Sequence, residues 1–351
     1  MFIQNTWYIA AWAHEVKDKP FARTICNEAI VMYREPGTGK VGALQDRCCH
    51  RGTPLRFGQV VEGGLECGYH GLVFDCAGSC IRIPGQAKIP AKAKVRSYPI
   101  VEKDEFLWIW MGDPEQADVS KIIDYPYHND HAKWPHKHEV YHIKCNYMLL
   151  VDNLMDMTHL AYVHKSTIGG SNTKAHVEAK TQVTPTEQGI HYIRWMPECA
   201  PPPTYRRAQP ALGDRVDRWQ EFEYIVPGNI IQWSGALNVG CDAMANRDQP
   251  GGFSLRLFHG LTPETDGTCF YFWSTANGYR QDDPQATEDL FHEISVAFNE
   301  DKQIVEAQQA TLEETGETGL VDIVSDAARI HMRRTVNRLL AAEAAAAAEA
   351  S

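Results

Sequence analysis

Two short loops constrain this chain more than any other feature. Cys48-x-His50 is followed, after 16 intervening residues, by Cys67-x-x-His70. Each pair lies among small or turn-forming residues, Gly52 and Pro54 in the first loop and Gly68 and Gly71 in the second, within a strand-rich stretch. Tight loops of this kind can present two thiolates and two imidazoles to a common point, so the strands that carry them must converge there. Four such ligands suit tetrahedral zinc, or a [2Fe–2S] cluster with two cysteines on one iron and two histidines on the other. Zinc fingers usually place Cys with Cys and His with His. Here each loop supplies one of each, which favours the cluster over zinc or over structural residues that merely fall at this spacing.

Around these loops, residues 1–118 read as short strands between turns. Ala29–Tyr33, Val41–Leu44, Leu65–Cys67, Leu72–Phe74 and Phe106–Trp110 are separated by Gly-, Pro- and Asp-containing breaks, which predicts a small all-β domain. Residues 119–140 are rich in Asp, His and Pro and read as a connector. Residues 141–340 read as an α+β domain, with a helical segment near 146–164, a strand-rich region from about 176 to 278 and a long helix from about 284 to 313. Residues 341–351 are an alanine-rich tail, a terminal helix or frayed end. Hydrophobic residues at 44% and charged residues at 23% are ordinary for a globular protein of 351 residues. The apolar run Phe106–Met111 is too short to cross a bilayer, and the first residues lack the pattern of a signal peptide. The expected location is therefore the cytoplasm, where ten cysteines are thiols or metal ligands rather than disulfides. A net charge of −11 argues against nucleic-acid and membrane partners. It also means that a small anionic substrate would need a locally basic or hydrogen-bonding pocket.

Several motifs imitate other chemistry. Gly37-Thr-Gly-Lys-Val-Gly42 matches a dinucleotide-binding pattern but lies between two strand-like runs with no helix after it, so a hairpin turn is expected. Cys76 and Cys80 flank Gly78 without a second pair nearby and read as buried thiols. His128, His131, His136, His138 and His142 crowd the polar connector and read as a solvated linker, with adventitious metal binding as the alternative.

A second constellation lies in Asn153-Leu-Met-Asp156-Met-Thr-His159-Leu-Ala-Tyr-Val-His164. On an unbroken helix His159 and His164 would stand roughly 140° apart, too splayed to share one ion. If both bind a metal, the helix must end or distort, and the turn-like Ser166-Thr-Ile-Gly-Gly170 makes an ending plausible. Otherwise they are incidental histidines of a buried helix. In the helix after Pro284, Leu290, Ile294, Ala297, Phe298, Ile304 and Val305 form an apolar stripe. Asp301 falls in that stripe, while Glu293, Glu300 and Glu306 lie off its axis. A carboxylate facing a core is costly unless it is paired or metal-bound, and a salt-bridged Asp is the plainer reading. Two histidines and one carboxylate make the facial triad of non-haem Fe(II) oxygenases. Asp156, three residues before His159, is close enough to orient that ligand.

Cys48-Cys-His-Arg-Gly-Thr-Pro-Leu55 and Cys67-Gly-Tyr-His-Gly-Leu72 resemble the signature of Rieske non-haem iron oxygenases, with Cys49 where many relatives have proline. The order D-x-x-H-x4-H followed by a distant Asp resembles the mononuclear iron site of the same family. Asn5–Ala10, Pro84–Gln86, Trp108–Asp113, Val216–Gln220, Leu261–Glu264 and Tyr271–Trp273 resemble its vanillate O-demethylase branch, kin to the toluenesulfonate and dicamba enzymes.

The resemblance implies a Rieske domain followed by a helix-grip-like catalytic domain. Cys48, His50, Cys67 and His70 would hold the [2Fe–2S] cluster, and His159, His164 and Asp301 a mononuclear Fe(II). It implies that Asp156 bridges His159 to the Rieske His70 of a neighbouring subunit, most simply in a homotrimer, with Asn153 tuning the iron site. His259 matches a pocket-lining histidine of the branch. Trp195, Tyr205, Trp219, Phe222, Trp233 and Phe258 offer aromatic walls, and Pro201-Pro-Pro-Thr-Tyr-Arg-Arg207 is an entrance loop or ordinary surface. With no flavin, nicotinamide or plant-type ferredoxin motif, electrons must come from a separate NAD(P)H-dependent reductase. The implied reaction is O2-dependent O-demethylation of a small aromatic acid such as a methoxybenzoate, with formaldehyde released. Methyl or ring hydroxylation of an aromatic sulfonate or carboxylate is the alternative within the family. A Rieske electron carrier without oxygenase activity and a zinc-stabilised binding module are the rivals from other classes.

Overall fold

A computed structural model of the protein describes residues 1–247, 249–316 and 319–349. It divides into two compact units, one made of Met1–Tyr125 with Thr262–Asp266, the other of Pro126–Leu261 with the chain from Gly267 onward.

The first unit is built of short strands: β1 (Trp7–Trp12), β2 (Phe21–Ile25), β3 (Glu28–Arg34), β4 (Val41–Gln45), β5 (Gln59–Val61), β6 (Gly64–Glu66), β7 (Val73–Phe74), β8 (Cys80–Arg82), β9 (Ile100–Lys103) and β10 (Phe106–Trp110). They form antiparallel sheets in the orders β1-β10-β9, β2-β3-β4 and β5-β6-β7-β8. The glycine-rich run Gly37–Gly42 lies at the turn between the paired strands β3 and β4, a hairpin and not a nucleotide loop. The apolar run Phe106–Met111 is buried throughout, and no described helix is long and apolar enough to cross a membrane. Val31, Tyr33, Leu44, Leu55, Leu65 and Phe74 form one core cluster with Cys48 and Cys67, so packing of the strands also fixes the two thiols. Cys80 joins that cluster and Cys76 packs against it.

The second unit contains β11 (His136–Ile143), α1 (Tyr147–Met155), α2 (Leu160–Val163), α3 (Thr173–Val177), β12 (Lys180–Pro185), β13 (Gly189–Cys199), α4 (Pro203–Ala208), β14 (Val216–Ile225), β15 (Asn229–Asn238), β16 (Phe253–Thr265), β17 (Thr268–Asn277), α5 (Pro284–Thr315) and α6 (Ala327–Glu349). Seven strands make an antiparallel sheet in the order β11-β17-β16-β15-β14-β13-β12. It is a meander whose first strand closes the far edge. α5 packs across β11 and β17 and against α1. Its start is set by Asp283, whose carboxylate accepts from the Gln285 N–H at 3.0 Å, with Pro284 at the first helical position.

The histidine-rich stretch expected to be a solvated linker is not one. His136, His138 and His142 lie in β11, paired in register with Ala276, Ser274 and Phe270 of β17. His128 is buried, with Nε2 2.8 Å from the Ser274 hydroxyl. An edge strand keeps part of its surface in water, so polar residues along it hide the strand from a pattern search. The alanine-rich tail continues a helix that begins at Ala327; Ala350 and Ser351 lie outside the described residues. Arg333 of α6 grips Asp152 of α1 with two hydrogen bonds, 2.6 Å from Nη2 and 2.9 Å from Nε.

Candidate active site

The two loops of the first unit repeat one backbone design. The Cys48 N–H donates to the Thr53 carbonyl at 2.8 Å and the Gly52 N–H to the Cys48 carbonyl at 2.9 Å. The Cys67 N–H donates to the Leu72 carbonyl at 2.7 Å and the Gly71 N–H to the Cys67 carbonyl at 3.0 Å. In both loops the fourth residue after the cysteine is a glycine in the left-handed region, with φ of 75° at Gly52 and 71° at Gly71. Cys48 and Cys67 are each only 2% exposed, whereas His50 and His70 are exposed, their ring centroids 4.6 Å apart. Burial pushes the Cys48 thiol up to about 11, so without metal it is a neutral thiol. A pair of thiols beneath a pair of imidazoles matches the donors of a cluster with one thiolate-bound and one imidazole-bound iron. Cys49 is exposed and stands between Cys48 and His50 in the chain.

In the second unit the chain from 146 to 164 is not one helix. Asn146 caps α1, its side chain accepting from the Met148 N–H at 3.0 Å. At Asp156 the backbone turns extended, with φ −127° and ψ 96°. The Asp156 carboxylate then accepts from the Thr158 N–H at 2.9 Å and starts a 3-10 turn over Met157–His159, which runs into α2. α2 stops at Val163, leaving His164 with φ −106° and ψ 39°. These breaks remove the 140° separation of an unbroken helix.

His159, His164 and Asp301 consequently offer ligand atoms within 4.8 Å of one another. Nε2 of His159 lies 3.4 Å and Nε2 of His164 3.1 Å from the same Asp301 carboxylate oxygen. Each Nδ1 is held from behind. That of His159 donates to the Asp156 backbone carbonyl at 2.5 Å, and that of His164 to the Glu300 carboxylate at 2.7 Å. Such anchoring fixes the tautomer and aims Nε2 at a common point, as metal-binding imidazoles require. Burial alone would push the 3%-exposed Asp301 carboxyl up, but its bonds to His159 and His164 outweigh this and hold it well below the usual range. The donor set fits a 2-His-1-carboxylate metal centre. Asn153 donates to the same Asp301 oxygen at 3.1 Å. Asp156 contacts His159 through its backbone carbonyl, while its carboxylate is engaged by Thr158 and, at 3.1 Å, by the Ser325 hydroxyl.

This group lines a pocket with about 450 Å³ of empty space, part of it open to solvent. Strand alternation builds one wall. Arg218 and Gln220 of β14, Gln232 and Ser234 of β15, and Leu257 and His259 of β16 are spaced by two and face the same side. Leu154, Leu160, Ile294 and Phe298 close it with apolar surface. His259 is 0% exposed, with Nδ1 2.7 Å from the Tyr271 hydroxyl and Nε2 2.9 Å from the Gln232 amide oxygen. Burial lowers its pKa to about 3, so the ring is neutral, donating to Gln232 and accepting from Tyr271. Of the six aromatics expected as walls, Tyr205 lines the cavity. Trp219 sits in a separate core cluster with Leu237 and Ala243, against which Trp195 and Trp233 pack. In the expected entrance loop, Arg206 pairs with Asp214 at 3.1 Å and Arg207 with Glu293, so both charges are answered by carboxylates.

Glu300, Arg218 and Gln232 were not legible as site residues. Glu300 lies off the apolar stripe, and Arg218 and Gln232 become neighbours through strand register alone. In the stripe itself Ile304 is 47% exposed, one step past the buried face.

Comparison with known proteins bears on both centres. Residues 6–99 match the Rieske [2Fe-2S] domain, and residues 143–342 match the vanillate O-demethylase oxygenase C-terminal domain. The iron-sulfur subunit of the toluene-4-sulfonate monooxygenase system of Comamonas testosteroni is 37% identical over 98% of both chains. The vanillate O-demethylase oxygenase subunit of Pseudomonas sp. strain HR199 is 36% identical over 99% of this chain and 97% of its own. Crystalline dicamba monooxygenase bound to 3,6-dichlorosalicylic acid superposes with a TM-score of 0.89 at 33% identity, over 98% of this chain and 99% of that one. The same enzyme has also been solved with non-haem iron and dicamba, at a TM-score of 0.78 and 31% identity over the same shares.

Proposed function

The chain belongs to the Rieske non-haem iron oxygenases of the vanillate O-demethylase family, and from that membership we propose that it O-demethylates a small aromatic acid and releases formaldehyde. The observation that carries the reading is the His159, His164 and Asp301 donor group opening on a cavity with an apolar floor and a polar wall. In this proposal Cys48 and Cys67 hold one iron of the cluster, His50 and His70 the other, and His159, His164 and Asp301 the mononuclear Fe(II). Bound there, these groups supply electrons and the activation of O2.

The chain's own residues do the rest. Glu300 and the Asp156 carbonyl fix the two imidazoles. Asn153 holds Asp301. Leu154, Leu160, Ile294 and Phe298 give the pocket an apolar side on which an aromatic ring would pack. The proposed overall change is that the aryl methyl ether, O2, two electrons and two protons give the hydroxymethyl ether and water. The hydroxymethyl ether then falls apart to phenol and formaldehyde. His259 is assigned to the substrate pocket, lining it through a neutral ring. The electrons come from a separate reductase, for which we propose NAD(P)H as the source. We further assign the Asp156 carboxylate to the electron path between subunits of a homotrimer, and the protein to the cytoplasm.

The test is turnover of the iron-loaded protein with a compatible reductase and NADH on vanillate, other methoxybenzoates, toluene-4-sulfonate and phthalates. Formaldehyde released in step with substrate-dependent O2 uptake is the expected result. Benzylic alcohol from toluenesulfonate, with no formaldehyde from any methoxybenzoate, would reject demethylation and leave the oxygenase class standing. A colourless protein containing zinc would remove both.

A further inference from the structure

The polar wall of the cavity holds a cation that the protein does not neutralise. Arg218 is 2% exposed, and among the described residues no carboxylate lies within ion-pair distance of it. Its neighbour Arg194 is 1% exposed and is likewise held by neutral groups, the Gln220 amide oxygen at 3.0 Å and the His176 carbonyl. Two guanidiniums without a buried carboxylate are an unusual arrangement, because an uncompensated buried charge is among the costliest features a fold can carry.

The hydrogen bonds of Arg218 are also incomplete. Of its five N–H donors, Nη2 reaches the Ile168 carbonyl at 2.9 Å. Nη1 lies 3.3 Å from His176 Nε2, but that nitrogen is also 3.0 Å from the Gly169 carbonyl. Burial and the two nearby arginines lower the His176 pKa to about 3, so the ring is neutral. One nitrogen of a neutral ring can donate to Gly169 or accept from Arg218, and not both. Nε of Arg218 is buried with no partner at all. Arg218 stacks its guanidinium 4.9 Å from the centroid of Tyr205, and both residues line the cavity that contains His159, His164 and Asp301.

We propose that Arg218 is the specificity residue for an anionic substituent, so that the pocket selects aromatic carboxylates or sulfonates over their neutral counterparts. Gln220 and Ser234, opposite each other on β14 and β15, supply further hydrogen bonds beside it. A planar guanidinium with an unpartnered Nε has donor capacity left for a two-oxygen anion. The neutral, fully engaged His259 then lines the pocket, and the charge recognition that the acidic chain requires falls to Arg218. The proposal deepens the oxygenase reading by naming the residue that recognises the substrate's acid group, and rests on that reading for the position of the methyl group.

Binding to the iron-loaded holoprotein, measured by calorimetry without reductant, tests it independently of turnover. The probes are vanillate against vanillyl alcohol and toluene-4-sulfonate against toluene-4-sulfonamide. At least one anion should bind wild type about 30-fold more tightly than its neutral partner, the size expected of a charged hydrogen-bond pair. Arg218→Gln should reduce that preference to about 3-fold or less while leaving the neutral ligands within about 3-fold of wild type, and Arg218→Lys should keep part of it. A merely structural arginine would change both members of each pair together, and that result overturns the assignment. So does a wild type that shows no charge preference or binds neither anion, an outcome readable even if Arg218→Gln does not fold. The pair with the larger ratio separates carboxylate from sulfonate. Absence of formaldehyde in the turnover assay would sink demethylation without touching this result.

Discussion

The two centres of this protein are built from opposite materials. In the first unit four donors lie within one short stretch, and the two loops are posed by matching backbone hydrogen bonds, each closed by a left-handed glycine. In the second unit His164 and Asp301 stand 137 residues apart, and each imidazole is aimed by a different kind of group, a backbone carbonyl for His159 and a glutamate for His164. The first unit buries its thiols and exposes its imidazoles; the second buries His164 and Asp301 at the edge of a cavity. A centre made by local backbone should tolerate distant change and fail on local change. A centre assembled by tertiary packing should lose function in grades.

The largest effects test whether the centres are separable. Cys67→Ala should abolish the visible colour and the reduced-state EPR signal of the cluster. Asp301→Ala and His159→Ala should keep both, lose the third iron and reduce turnover by about 10³-fold or more, since no other described carboxylate completes that group. Iron analysis with EPR on the purified variants decides. Wild-type turnover in both iron-site variants would show that these residues are not the ligands.

A smaller effect probes the graded centre. Glu300→Gln keeps the shape and removes the charge behind His164 Nδ1, so iron affinity should fall about 10- to 100-fold with the cluster spectrum unchanged. The matching carbonyl behind His159 is backbone and cannot be substituted away, so His159 stays anchored in every variant. Competition with a chelator measures the loss. An unchanged affinity would mean that Glu300 is a surface neighbour and not a support.

This contrast also explains what could be read in the sequence. The two Cys/His loops are legible because donors, glycines and turns are neighbours in the chain. Asp301 was legible because a carboxylate in an apolar helical stripe breaks a pattern. Asp156, close enough in the chain to orient His159, meets its Nδ1 through the backbone carbonyl, where the backbone is extended. β11 was hidden because an edge strand carries polar residues on a face that its partner strand does not need. Arg218 was hidden inside a motif that could be recognised, because its meaning lies in what fails to pair with it. Register between β14, β15 and β16 decides which residues meet in the cavity, and no local pattern encodes that register.

The glycines sharpen the backbone side of the comparison. Gly52 and Gly71 have the same left-handed backbone, yet a Cβ on Gly52 would first meet Arg47 Nε at 3.6 Å, while one on Gly71 would meet Pro84 Cγ at 2.9 Å. Gly52→Ala should cost about 1 to 2 kcal/mol from backbone strain alone. Gly71→Ala should cost about 1 kcal/mol more as the proline ring is displaced. Denaturant melts followed through the cluster absorbance give both values. Equal losses would show that the loops, alike in hydrogen bonding, are also alike in surroundings.

The smallest effect is one of pH, and it belongs to the second unit. His176 and His259 are both buried there, and burial holds each pKa near 3, with Arg218 and Arg194 adding to the effect at His176. In the unfolded chain each would titrate near 6.5. The unfolded state therefore takes up these protons first as pH falls. The stability that neutrality confers is complete above about pH 6.5 and is lost as pH drops from there toward 3. Between pH 7 and pH 6 the loss is about 0.7 kcal/mol for each ring. Iron in the neighbouring site would add positive charge and push both pKa values the same way. Replacing both rings by Gln should flatten the dependence of unfolding free energy over that interval by about 1.4 kcal/mol in urea melts followed by tryptophan fluorescence. If the double variant keeps the wild-type slope, the proton uptake comes from other groups, and these two buried histidines have no part in the pH response of the fold.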